Sequence, residues 1–103
     1  MRGTLTTDPQ SQPGDVGASA QRPERILVVD DQEDSRRILD RVLKNLGYET
    51  ELARDGVEAL AKIQLDVDLV LLDADMPGMD GFTVARRIRE DPSGIDLPII
   101  MVT

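Results

Sequence analysis

The chain has no cysteine, no histidine and no tryptophan in 103 residues, and only one tyrosine and one phenylalanine. Without cysteine, disulfides and thiolate metal sites are excluded, and the redox compartment is left unmarked. Without histidine there is no imidazole base, no imidazole metal ligand and no phosphohistidine on this chain. Long apolar runs are lacking as well. None approaches the roughly twenty residues needed to span a bilayer, and the N-terminal segment lacks the apolar core of a secretory signal. Positive charge is in deficit, with 12 Lys and Arg against 20 Asp and Glu and a net charge of −8. Direct nucleic-acid binding needs a basic footprint, so it is not expected of this segment. Membrane association is not expected either, and the expected setting is soluble and cytoplasmic.

Residues 1–25 differ from the rest. They hold Pro9, Pro13 and Pro23, three glycines and many Ser, Thr and Gln, with no apolar run. Such a segment cannot bury enough surface to offset its ordering entropy, so residues 1–25 are expected to form a disordered leader. Its charges cancel, Arg2, Arg22 and Arg25 against Asp8, Asp15 and Glu24, which leaves the whole net charge on residues 26–103.

From residue 26, apolar runs of four or five residues alternate with helical patterns, which marks βαβ units and an α/β fold. The first strand is expected at about 26–30, and a helix at about 33–46. Ile38, Leu39, Val42, Leu43 and Leu46 form the apolar stripe of that helix, and Gly47 ends it. A weak second strand falls at about 48–53. Asp55 caps the second helix, with Glu58 three residues on as in a capping box, and Val57, Leu60, Ala61 and Ile63 are expected to face inward. The third strand, about 68–72, is unbroken aliphatic, as befits a strand buried on both faces. Asp80 caps a third helix ending near Glu90, with Phe82, Ala85 and Ile88 packing inward, and Pro98 opens a fourth strand. Arg86, Arg87 and Arg89 are expected to be a solvated face. Right-handed crossovers give strand order 2-1-3-4, so the first and third strands are central neighbours.

Acids stand where those strands end. Ile26-Leu27-Val28-Val29 leads into Asp30-Asp31, and Leu69-Val70-Leu71-Leu72 leads into Asp73-Ala74-Asp75. Ile99-Ile100-Met101-Val102 leads into Thr103. Ligands of open α/β sheets bind beyond the carboxyl ends of the strands, where the strand order reverses. Carboxylates gathered there repel one another by roughly 1 to 4 kcal/mol per pair at 4 Å. A hard divalent cation relieves that repulsion and favours phosphate chemistry.

Ile26-Leu27-Val28-Val29-Asp30-Asp31, then Leu71 to Gly81 (Leu-Leu-Asp-Ala-Asp-Met-Pro-Gly-Met-Asp-Gly), then Pro98-Ile99-Ile100-Met101-Val102-Thr103 resemble the receiver domain of bacterial two-component response regulators. The resemblance covers residues 26–103 in order, including Ala53 to Leu60. It implies a flavodoxin-like doubly wound parallel sheet and a phosphorylation-controlled switch rather than a multiple-turnover enzyme. Asp73 would be the phosphoacceptor, taking a phosphoryl group from a sensor histidine kinase or phosphotransfer protein. Asp30 and Asp31 would hold Mg2+, Asp31 directly and Asp30 largely through water, together with Asp73 and the backbone carbonyl of Asp75. Thr103 would be the hydroxyl that binds the phosphoryl group, and Pro77 and Gly78 would shape the loop carrying Asp75.

The resemblance also implies a fourth helix, a fifth strand and a fifth helix, bearing a phosphate-binding lysine and an aromatic switch residue. These do not appear in residues 26–103, which are therefore expected to be a receiver incomplete at its C-terminal side, its fifth strand missing and any output domain lying beyond residue 103. Lys44 and Lys62 sit on helices away from the strand ends and do not replace the lysine. A competing reading comes from Asp73-Ala74-Asp75 itself, which is similar to the motif of haloacid-dehalogenase-type phosphohydrolases. There Asp73 would be the nucleophile and Asp75 the general acid, but Asp30 and Asp31 would be left without a role.

Overall fold

β1 (Arg25–Val29), β2 (Glu49–Ala53), β3 (Leu69–Asp73) and β4 (Ile99–Val102) alternate with α1 (Glu33–Asn45), α2 (Gly56–Lys62) and α3 (Gly81–Glu90) in the computed structural model, which describes residues 22–102. The four strands form one parallel sheet in the order β2-β1-β3-β4. The expectation of disorder over residues 1–25 therefore lies mostly outside the described residues, although Arg25 already opens β1. Thr103 lies outside them too. No helix among the described residues is long and apolar enough to cross a membrane.

The central strands are the most apolar, because the sheet is covered on both faces there. Leu27, Val28, Val29, Val70 and Leu72 are all essentially inaccessible. One face of the sheet packs against α2 and α3 through Ala59, Ile63, Val84 and Ile88. On the other face α1 supplies Leu43 and the half-buried Leu39 against Ile26 and Val28.

The apolar stripes of the helices are buried less than their periodicity suggested. Ile38, Val42 and Leu46 on α1 are exposed, as is Val57 on α2, and Ala61 beside it is exposed also. Phe82 on α3 is 64% exposed, so it does not pack inward as expected. Periodicity marks a face able to be covered, but covering it takes a neighbour. α1 lies over β1 and β2, and no described element covers the β3–β4 half of that face, where Ile100 and Val102 stand open.

Local signals behaved as chemistry requires. The Asp55 carboxylate accepts the Glu58 N–H at 2.9 Å, and the Asp80 carboxylate accepts the Thr83 N–H at 2.8 Å, each satisfying a donor left over at a helix start. The capping box at α2 is shifted by one residue: Glu58 accepts from the N–H of Arg54 rather than from that of Asp55. Arg89 is more than a solvated charge, because its guanidinium donates to the carbonyls of both Gly94 and Leu97 and clamps the α3–β4 connection.

At the opposite rim from the strand ends, Arg25 and Asp68 hold each other reciprocally. The N–H of Arg25 donates to the Asp68 carboxylate at 2.8 Å, and the N–H of Asp68 donates to the Arg25 carbonyl at 2.8 Å. Arg22 pairs with the same carboxylate at 3.0 Å. These bonds to the anion hold the Asp68 carboxyl below the usual carboxylate range, the Arg25 backbone bond contributing most.

Candidate metal and phosphoryl site

The register of the two central strands builds the site. β1 and β3 run in parallel with Val29 opposite Leu72 as their last pair, so Asp30 and Asp73 leave the ladder side by side. The chain reverses direction across the sheet between these strands, which makes this rim a crevice. One carboxylate oxygen from each of Asp30, Asp31 and Asp73 lies within 4.8 Å of the others, and all three side chains are half-buried. The acids that the sequence placed at separate strand ends thus converge at one point.

Their electrostatics follow from that crowding. Loss of water around Asp30 raises its carboxyl pKa, and the neighbouring Asp73 and Asp31 push in the same direction. A hydrogen bond from the N–H of Gln32 to Oδ1 of Asp30, at 2.9 Å, opposes the rise. The donor set is all carboxylate oxygen, with no imidazole or thiolate in the chain. That set suits a hard cation such as Mg2+ or Ca2+ and not a soft one.

The β3–α3 loop is wrapped around the Asp73 side chain. Oδ1 of Asp73 accepts the N–H of Asp75 at 3.0 Å, which is an Asx-turn. Gly78 turns the loop with φ +84°, a left-handed conformation that other residues adopt at a cost. Met76, within the loop, is buried in the core, and Met79 packs against Gly56 at the start of α2. Gly81 then lies so close to β3 that a Cβ there would stand 2.3 Å from the Asp73 carbonyl oxygen. The start of α3 is therefore seated directly on Asp73.

Asp75 is exposed, and its carboxylate is not part of the acid group. Lys44 and Lys62 are engaged elsewhere, Lys44 with Asp40 at 3.2 Å and Lys62 with the Leu52 carbonyl at 2.6 Å. Sequence reasoning overlooked Arg36, whose Nη1 donates to the backbone carbonyl of Asp30 at 2.7 Å. Nothing in the sequence flagged it, since a basic residue in the first turns of a helix is ordinarily solvated.

Known proteins share both the sequence and the geometry. A family model described as the response regulator receiver domain matches residues 26–103. Response regulator PleD of Caulobacter vibrioides is 48% identical over 80 residues, which are 77% of this chain and 18% of that protein. The chain thus spans less than a fifth of that relative's length. Among solved structures, chemotaxis protein CheY4 of Vibrio cholerae superposes with a TM-score of 0.75 at 37% identity, covering 78% of this chain and 68% of that one. The receiver domain of sensor histidine kinase PA1611 from Pseudomonas aeruginosa, determined with a magnesium ion coordinated in the active site cleft, gives a TM-score of 0.74 at 31% identity, covering 80% and 68%.

Proposed function

Because this chain belongs to the family of response regulator receiver domains, we propose that Asp73 accepts a phosphoryl group from the phosphohistidine of a sensor kinase or phosphotransfer protein, with Mg2+ held by Asp30, Asp31 and Asp73. Family membership retires the haloacid-dehalogenase alternative. The observation that carries the reading is the convergence of three carboxylates within 4.8 Å at the switch between β1 and β3.

Each residue's part follows from its place. Bound Mg2+ would supply charge neutralisation between an anionic nucleophile and an anionic phosphoryl group. Asp31 would hold the cation directly, and Asp30 largely through water. Asp73 contributes one oxygen to the cluster and carries the nucleophilic lone pair, its Oδ1 already anchored by the Asp75 N–H. The backbone carbonyl of Asp75 would complete the protein ligands. Its carboxylate adds negative charge at the mouth of the site.

When the new bond forms between Asp73 and phosphorus, the bond from phosphorus to the donor imidazole breaks and the imidazole keeps its electron pair. The added negative charge draws in the Thr103 hydroxyl, next after β4, through a charge-assisted hydrogen bond. Recruitment of that hydroxyl biases the surface read by a partner or by an output domain in the parent protein. Such a module is a stoichiometric acceptor and not a turnover enzyme. The cytoplasm, where kinases draw on ATP, is its setting.

Incubation of the full chain with a small-molecule phosphoryl donor such as phosphoramidate, with and without Mg2+, tests the reading. One acid-stable, base-labile phosphoryl group per chain is expected, dependent on Mg2+ and absent in Asp73→Asn. Equal labelling of Asp73→Asn would overturn the assignment. Continuous phosphate release from a phosphomonoester would contradict the stoichiometric role.

A further inference from the structure

We infer that Arg36 is a positioning residue for the metal site, holding the turn that aims Asp30 and Asp31 by gripping the Asp30 backbone carbonyl. The inference rests on the reading of these acids as Mg2+ ligands.

The first observation is the state of the turn itself. Asp30 is one residue past the last β1–β3 pair, so its carbonyl has left the ladder while its N–H still donates to the Ala53 carbonyl at 3.0 Å. Arg36 Nη1 takes that carbonyl at 2.7 Å, reaching back across the first turn of α1. Asp30 is thus held at both of its backbone groups.

The second observation is that α1 lacks the cap its neighbours have. α2 and α3 start on Asp55 and Asp80, whose side chains accept helix N–H groups. α1 starts on Gln32, whose side chain makes no such bond and points instead toward Asp31. The Gln32 side chain therefore does not fix the start of α1. The turn before it is held by the Gln32 N–H donating to Oδ1 of Asp30 at 2.9 Å and, from the carbonyl side, by the Arg36 guanidinium, which ties the first turn of α1 to the Asp30 backbone.

The third observation is electrostatic. Arg36 is half-buried, and the ion pairs among the described residues do not include it. A guanidinium kept from full hydration without a carboxylate partner needs another favourable contact, and a carbonyl beside three acids provides one. Lysine could offer a single donor there, but without the planar fork that fixes the direction of the bond.

Partners that orient metal ligands typically cost 10–100-fold in metal affinity when removed. Because Arg36 grips backbone and not a ligand side chain, the lower end applies. Calorimetric titration of the full chain with Mg2+ should show Arg36→Gln binding about tenfold more weakly than wild type and Arg36→Lys falling between the two. Phosphoramidate labelling of Arg36→Gln should be slow at low Mg2+ and return to the wild-type rate at saturating Mg2+. A residue that only stabilised α1 would lower the thermal midpoint without Mg2+ and leave the Mg2+ dissociation constant alone.

An unchanged dissociation constant in a folded Arg36→Gln chain overturns the inference, as does a labelling defect that saturating Mg2+ does not repair. Should Arg36→Gln fail to fold, Arg36→Lys decides: Mg2+ affinity equal to wild type overturns the inference, and weaker binding with repairable labelling supports it. Failure of the wild-type chain to take label at any Mg2+ concentration would strike the phosphoacceptor reading instead, while the dissociation constants would still judge Arg36.

Discussion

The Asp73 carboxylate and the Asp75 backbone N–H are hydrogen-bonded at 3.0 Å, so the side chain proposed to receive phosphate also shapes the loop that follows it. The same carboxylate thus holds the loop and stands beside Asp30 and Asp31 just beyond β1. Chemical change at Asp73 therefore reaches the loop through a bond the loop depends on.

That bond separates two substitutions at the same position. Asp73→Asn keeps an acceptor oxygen, so the loop should stay in place while labelling is lost. Asp73→Ala removes the acceptor and should loosen residues 74–80 as well. Amide hydrogen exchange over this loop should be near wild type in Asp73→Asn and faster in Asp73→Ala. Equal protection in both would show that the turn does not need the carboxylate.

Mg2+ should stabilise the folded chain, because a ligand that binds only the native state adds RT ln(1 + [L]/Kd), roughly 2.7 kcal/mol at a hundredfold excess over Kd. The thermal midpoint should rise with added Mg2+ in wild type and stay flat in Asp31→Ala. In the absence of metal, Asp31→Ala should be as stable as wild type or more so, since it removes one member of a repelling group. A metal-induced rise retained in Asp31→Ala would place the cation elsewhere.

Gly81→Ala should destabilise by about 1–3 kcal/mol, the usual cost of forcing an extra methyl into a packed position. The clash would be with the Asp73 carbonyl and the Ala74 Cα, both backbone atoms that cannot swing aside. Urea unfolding measures it, and a wild-type midpoint would mean that α3 can shift off β3 freely. Labelling should fall too, because a shift of α3 would displace Asp73 with it.

The acid limb of stability should depend on Asp68. Its folded pKa lies below the unfolded value of about 3.9, so the folded state favours the anion. Its contribution is present above the unfolded value and is lost as pH falls through the folded one. Asp80 and Asp91 shift in the same direction through the N–H groups of Thr83 and Ser93. The loss in thermal midpoint between pH 7 and pH 3 should be smaller in Asp68→Asn than in wild type. An identical loss would remove Asp68 from the account.

Much of this protein was legible before any coordinates. Runs of four aliphatics, separated by helical periodicity and by capping aspartates, determined the order of elements, because those signals act over a few residues, and crossover handedness then led to the strand order 2-1-3-4. Asp30, Asp31 and Asp73 could be placed at strand ends for the same reason. Their approach to within 4.8 Å needed the β1–β3 register, a long-range pairing. Tertiary structure alone also decided which apolar positions found cover: Ile38, Val42 and Phe82 repeat at helical spacing yet stand exposed, since burial depends on a neighbouring element and not on the stripe itself. Arg36 was invisible for a related reason. Its partner is a backbone carbonyl, which carries no mark in the sequence, and only the path of the chain around the turn brings the two together.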